Sequence, residues 1–202
     1  MNSSILDRKF NEWTKNFIPL AARISVFNHI RDIPYIIVPE LRDPKVGTSK
    51  ILELNKGSCQ PKHFLLAVFF ERLSIPVKYV SYPFKWGEQP LKFPNDLRQL
   101  AKSLPISYHL ACKAYVNNKW ILVDATNDLA LEKAGFPVTN SWDGINDTKN
   151  AVVPIKEIIH RSLDERVAYE LAQKSRYTDE EKLLSGKFVE ELNSWLYSIR
   201  KK

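Results

Sequence analysis

Apolar residues at Ile5, Phe10, Trp13, Phe17 and Leu20 recur near helical spacing, and the pattern continues through Ala21, Ala22, Ile24 and Phe27 until Pro34 interrupts it. The chain therefore opens as helix. Between residues 31 and 47, Pro34, Pro39, Pro44 and Gly47 predict an irregular connection, after which Thr48 or Ser49 is placed to cap a short helix through Leu54. Residues 59–73 are apolar nearly all round, with Phe64, Leu65, Leu66, Ala67, Val68, Phe69, Phe70 and Leu73. A helix with so little polar face has to be central. Pro61 falls in its first turn, where a missing N–H is harmless, and Pro76 follows its end.

Residues 77–82 (Val, Lys, Tyr, Val, Ser, Tyr) read as a strand, and a proline-rich stretch fills positions 83–105. Two further strands, 109–116 and 119–125, are joined at Asn117-Asn118, a two-residue hairpin turn, since asparagine tolerates positive φ. With that turn, Val116 faces Lys119, Ala111 faces Asp124 and His109 faces Thr126. Alternate residues share a face, so His109, Ala111 and Asp124 project from one side of the sheet, with His109 and Asp124 diagonal neighbours about 7–8 Å apart at Cα. A register shift of one residue would send Asp124 to the other face. Residues 135–153 are loop-like, and 155–202 return to helical patterning with a capping box at Thr178-Asp179-Glu180-Glu181.

Three residues in this frame carry a chemistry. Cys59 stands at the start of the central helix behind Gly57-Ser58, where free N–H groups and the helix dipole favour a thiolate; a buried cysteine acting as a small hydrophobe is the competing reading. His109 opens one hairpin strand and Asp124 nearly closes the other, so a carboxylate can orient an imidazole. Cysteine acyl chemistry needs a thiolate to attack, a histidine to hold and return the proton, and a group to fix the ring. An oxyanion hole is needed as well: the Cys59 N–H supplies one donor, and Tyr35, Trp13 and Gln60 are candidates for a second.

The remaining polar candidates read as structural. His63 lies one turn beyond Cys59, and a partner on the same helix is poorly placed to meet Asp124 as well. Cys112 faces away from His109 into the core, while His29 and His160 are isolated positions near helix ends, read as structural or exposed. Trp120 is read as a core residue on the Asp124 face. The segment 140–148, with Trp142, reads as a surface Asx turn in preference to a substrate loop.

The stretch from Gly57-Ser58-Cys59-Gln60-Pro61 through Leu73-Ser74-Ile75-Pro76-Val77 resembles the nucleophile helix of the transglutaminase-like superfamily, in which G-x-C opens a helix that ends in a Gly-Ile-Pro-like turn and a strand. The stretch His109-Leu110-Ala111-Cys112 through Trp120-Ile121-Leu122-Val123-Asp124-Ala125-Thr126 is similar to that family's second signature, a histidine strand, a turn and W-x-x-V-D-A/P-T. The resemblance spans about the middle third of the chain. It implies an α+β fold, a papain-like core with the central helix packed on an antiparallel sheet, in which Cys59 is the nucleophile, His109 the general base and acid, and Asp124 the orienting carboxylate. Ala111 and Lys113 stand where many family members carry an aromatic and an acid, which weakens inference about substrate. The likeness to arylamine acetyltransferases is poorer, because the Arg-Gly-Gly lead-in is absent.

Composition changes this picture little. The 202 residues include two Cys, 44% hydrophobic and 26% charged positions, an ordinary globular balance that excludes disulfide-rich, disordered and collagenous chains. The expected organisation is one domain, 1–202, with N-terminal helices (1–33), a catalytic core (48–126) and C-terminal helices (155–202). No apolar run approaches a membrane span, and charges at Asp7, Arg8 and Lys9 stand where a signal peptide needs its apolar stretch, so the expectation is an unprocessed cytoplasmic protein with both thiols reduced. No cofactor motif, calcium loop or metal-ligand spacing is present.

The formal charge of +7 permits an acidic partner, but the basic residues are dispersed, and nucleic-acid binding is disfavoured against peptide or protein substrates. The leading reading is a peptidase, an amidase or a transglutaminase-type acyltransferase. The alternatives are a catalytically silent peptide- or protein-binding module of the same fold and, third, a nucleic-acid accessory protein. Oligomeric state, natural substrate and acyl acceptor stay open.

Overall fold

Ser4 opens the first helix, α1 (Ile5–Thr14), by accepting the Asp7 N–H at 3.1 Å while the Asp7 carboxylate reaches back to the cap. The computed structural model describes residues 4–201; Met1, Asn2, Ser3 and Lys202, parts of the expected terminal helical segments, lie outside the described residues. The apolar face predicted to run on through Phe17 and Leu20 is instead broken. Asn16 turns left-handed (φ 64°), and Ile18 is extended because Pro19 follows it, so α2 (Pro19–Asp32) starts afresh and leaves Phe17 and Ile18 exposed.

Asp43 caps α3 (Pro44–Leu54), accepting the Lys45 N–H at 2.9 Å, with Pro44 in the first helical position. That start lies four residues before the predicted Thr48, whose hydroxyl instead bonds the Pro44 carbonyl inside the helix. A 3-10 turn over Pro39–Arg42 precedes α3 and packs on it so closely that a Cβ at Gly47 would lie 2.1 Å from the Leu41 carbonyl oxygen.

Helix α4 (Cys59–Arg72) matches its predicted extent and is buried along most of its length. It packs on one face of a four-stranded antiparallel sheet of order β3-β2-β1-β4, built from β1 (Val77–Phe84), β2 (Ser107–Val116), β3 (Lys119–Val123) and β4 (Ile158–His160). Asn117 and Asn118 both take positive φ (49° and 64°), and the hairpin register runs as predicted from Val116↔Lys119 to Cys112↔Val123. Tyr79, Leu110, Cys112, Ala114, Ile121 and Val123 meet α4, whereas Val80, Tyr82 and Ala111 form a smaller cluster on the opposite face beneath Val152.

Strand β1 runs past Pro83, further than expected, because β4 pairs only with Tyr79 to Ser81 and the proline lies where β1 has become an edge. The proline-rich stretch contains α5 (Asn95–Lys102), whose Leu97 and Ala101 are buried, and the C-terminal segment divides into β4, α6 (Leu163–Lys174) and α7 (Asp179–Lys201). The capping box is formed: Glu181 N–H donates to Thr178 Oγ1 at 3.1 Å, and Thr178 N–H to Glu181 Oε2 at 2.8 Å. Phe188, Leu192, Leu196 and Ile199 of α7 build a second core with Tyr35, Trp86 and Phe136.

The contact at Gly47 is backbone against backbone and has no side chain to yield. Gly47→Ala is expected to destabilise the protein by about 2–3 kcal/mol in urea unfolding, an overpacking cost; an unchanged midpoint would show that the 3-10 turn moves freely.

Candidate active site

Cys59 is the first residue of α4, behind an extended Ser58, so backbone N–H groups of the first turn surround its thiol. The all-round burial of α4 fixes that end against the sheet. His109 stands on β2 opposite Tyr82, and Asp124 follows the last residue of β3. The structure brings the three together. His109 Nε2 lies 2.8 Å from Asp124 Oδ2, and the same imidazole is close enough to Cys59 to act on its thiol. Asp124 also accepts the Thr126 N–H at 3.1 Å and the Ala151 N–H at 2.8 Å, and its own N–H donates to Thr148 Oγ1 at 2.8 Å.

These contacts set the protonation states. Burial works against a thiolate at Cys59, but the His109 hydrogen bond and charge, the Leu110 N–H and the more distant Arg166 outweigh it and bring the thiol below its ordinary range. Burial likewise works against an imidazolium at His109, yet the Asp124 carboxylate and the sulfur raise it to about 10. Burial penalises the Asp124 carboxylate too; His109 and the hydrogen bonds hold it well below the usual range. All three shifts run in the direction of a thiolate–imidazolium pair over a carboxylate. Cys112, on the far face, has its thiol pushed up by burial and is a core residue, as expected.

Two neighbours on α4 behave differently from the sequence expectation. His63 does meet Asp124, its Nε2 lying 3.6 Å from Oδ1. Its roles are filled nonetheless: Nδ1–H donates to the Cys59 carbonyl at 2.8 Å, and Nε2 accepts the Ala125 N–H at 3.2 Å. Burial lowers it to about 4, so it is a neutral strut between the Cys59 turn and the end of β3. Lys62, unremarked in the sequence reading, is fully buried and donates to the Arg31 and Thr126 carbonyls at 2.9 and 2.7 Å, its pKa lowered by burial to about 7. The available signal was two polar residues inside an otherwise apolar helix.

Other expectations need correction. His160 is buried on β4, its Nε2 2.9 Å from Ser81 Oγ, because a strand too short for a periodic signal carries it. Trp120 is partly exposed and lies under Lys78 (4.2 Å), since the sheet face it shares with Asp124 is covered only near Val152. Trp142 is a core aromatic between Phe27 and Phe70, although the Asx turn at Asp143 is formed. Trp13 stacks on His29 at 4.7 Å inside the core and is no oxyanion candidate, whereas Tyr35 and Gln60 both line the cavity at Cys59.

That cavity, of about 710 Å³, is walled by the segment at Tyr35, by Trp86, Tyr108 and Phe136, and by α6 and α7. Helix α7 holds the Tyr35 segment in place. Asn193 pairs with both backbone groups of Ile37 (3.0 and 2.9 Å), and Arg200 bonds the Tyr35 carbonyl at 3.1 Å and the Asp128 carboxylate, which itself accepts the Tyr35 N–H at 2.8 Å.

No family model matches the chain, and no curated protein does. Solved structures do. The chain is similar to a candidate cysteine protease from Cytophaga hutchinsonii (18% identity, TM-score 0.44, covering 78% of this chain and 45% of that one). It is similar also to a TGase (16% identity, TM-score 0.37, covering 62% of this chain and 31% of that one). It thus spans less than half the length of either. Among the described residues no group of three His, Cys, Asp or Glu side chains is arranged to hold a metal ion, and no helix is long and apolar enough to cross a membrane.

The thiolate at Cys59 persists as pH falls through the ordinary thiol range, and its imidazolium partner is lost only as pH rises through about 10. Iodoacetamide alkylation of Cys59, resolved from Cys112 by peptide mass spectrometry, is therefore expected to stay fast at neutral pH. In Asp124→Asn the acidic limb of the profile should move up by about one pH unit or more. An unchanged limb would mean that Asp124 does not sustain the pair.

Proposed function

We propose that the protein is a cysteine-dependent acyl-transfer enzyme that acts on an amide or thioester carbonyl through an acyl-enzyme on Cys59. The observation that carries this reading is the 2.8 Å His109–Asp124 bond on an imidazole that lines the same cavity as Cys59 and acts on its thiol. In this scheme the thiolate attacks the carbonyl carbon, a C–S bond forms and the carbonyl π electrons move to oxygen. The Cys59 N–H meets that oxygen with a donor from Tyr35 or Gln60. As the intermediate collapses, the C–N bond of an amide or the C–S bond of a thioester breaks, and the departing amine or thiol takes the His109 proton. Neutral His109 then removes a proton from the acceptor, which attacks the thioester and releases Cys59 as thiolate.

Water as acceptor makes the protein a peptidase or amidase; a primary amine makes it a transglutaminase. A peptide or protein is the proposed donor, since the cavity combines apolar walls with an open approach.

An activated acyl ester tests the scheme. Wild type is expected to give a burst of leaving group and a mass increase of one acyl group on the peptide carrying Cys59. Cys59→Ala should give neither, and His109→Ala should slow acylation by about 10²–10⁴-fold. Added primary amine partitions the acyl group between hydrolysis and transfer and so reports the acceptor. A wild-type protein that never acquires the acyl group on Cys59 overturns the proposal.

A further inference from the structure

Helix α6 brings a buried charge cluster to the wall of the Cys59 cavity. Glu170, 8% exposed, accepts hydrogen bonds from Gln60 Nε2, Arg166 Nη1 and Lys174 Nζ. Gln60 is the residue after the nucleophile, so this carboxylate reaches the reacting end of the cavity. Arg166 is wholly buried, and its Nε and Nη2 have no hydrogen-bond partner among the described residues. A guanidinium kept out of water is costly unless a charge offsets it, and here its charge is spent on Glu170.

The same cavity is lined by Arg42, at the end of the 3-10 turn that Gly47 allows to pack tightly on α3. It is exposed, forms no ion pair among the described residues, and its charge acts on both Tyr35 and Lys174. Of the other charged groups on the lining, Lys182 is paired with Asp179, and Glu190 is exposed on α7 and pairs with none of these cations. Arg42, Arg166 and Lys174 against Glu170 and Glu190 leave one positive charge in excess around this cavity. Without Arg166, Glu170 and Glu190 would cancel Arg42 and Lys174, and the wall would hold no excess charge to draw an anion.

We infer that this side of the cavity is a subsite for a carboxylate on the acyl donor, held between Arg42 and Lys174, with Arg166 neutralising Glu170 behind them. The inference rests on Cys59 being the nucleophile. It names the donor's chemistry: an acyl group flanked by an acidic side chain, or one close to a chain-terminal carboxylate.

Three electrophilic peptides separate these cases: chloroacetyl-Gly-Gln amide, chloroacetyl-Gly-Glu amide and chloroacetyl-Gly-Gln with a free C-terminal acid. Each is attacked by the Cys59 thiolate, which forms a C–S bond as chloride leaves with the C–Cl electron pair. At low ionic strength one or both acidic probes should alkylate Cys59 of wild type about fivefold faster than the neutral one, with the advantage falling below about twofold in Arg42→Gln, in Lys174→Gln and in high salt. The ratio of acidic to neutral probe within each variant cancels any loss of folded protein. A larger ratio for the Glu amide supports a side-chain subsite, and a larger ratio for the free acid supports a terminal-carboxylate clamp. Equal wild-type rates for all three probes, or an advantage that survives both substitutions, overturn the subsite. Slow reaction of every probe at Cys59 overturns the nucleophile assignment instead.

Discussion

A carboxylate held out of water organises this molecule. The Asp124 side chain is fully buried, and an ionised carboxyl in that position survives only if every oxygen is served. Its partners come from four places: His109 from β2, Thr126 from the loop beyond β3, Ala151 from the long connection to β4, and the more distant His63 from the central helix. Satisfying one charge therefore draws the sheet, the helix and the covering loop to a single point. The same point sets the proton affinity of His109 and, through it, the state of Cys59.

Helix α4 is the second constraint. Its apolar surface forces it into the centre, and its N-terminal end is where polar chemistry has to be placed without solvent to relieve it. Lys62 and His63 do that work in neutral or near-neutral fashion. Lys62 spends its donors on the Arg31 and Thr126 carbonyls, and His63 joins the Cys59 carbonyl to the Ala125 N–H. Through Thr126 and Ala125 the two side chains tie the first turn of α4 to residues that follow Asp124. Replacing either side chain with an apolar one would keep the helix buried yet leave backbone groups at the site unpaired, which is the more expensive outcome in a low-dielectric interior.

The C-terminal helices belong to the site as much as to the second core. Asn193 and Arg200 hold the Tyr35 segment from one side of the cavity, while Glu170 reaches Gln60 from the other. The cavity is thus shaped by residues more than a hundred positions away from Cys59 along the chain. Its apolar portion comes from the second core, and its charge comes from α6 and the 3-10 turn before α3.

Local pattern was enough to read α4, the hairpin and the relation of His109 to Asp124, because each is decided within about fifteen residues: an apolar helix between prolines, and a two-asparagine turn that sets the register for every pair behind it. The α+β class was implied by the family resemblance that those stretches carry. The sequence by itself also located Cys59 at a helix start, since a Gly-Ser turn before an apolar run leaves few other arrangements. The tertiary structure decided the rest. The break before Pro19, the three-residue β4 and the placement of His160 and Trp120 depend on which surfaces neighbours cover, and no short-range periodicity encodes that. The convergence of Glu170, Arg166, Lys174 and Arg42 on the cavity is of the same kind, because charges far apart in the chain acquire meaning only when folding brings them into one low-dielectric wall.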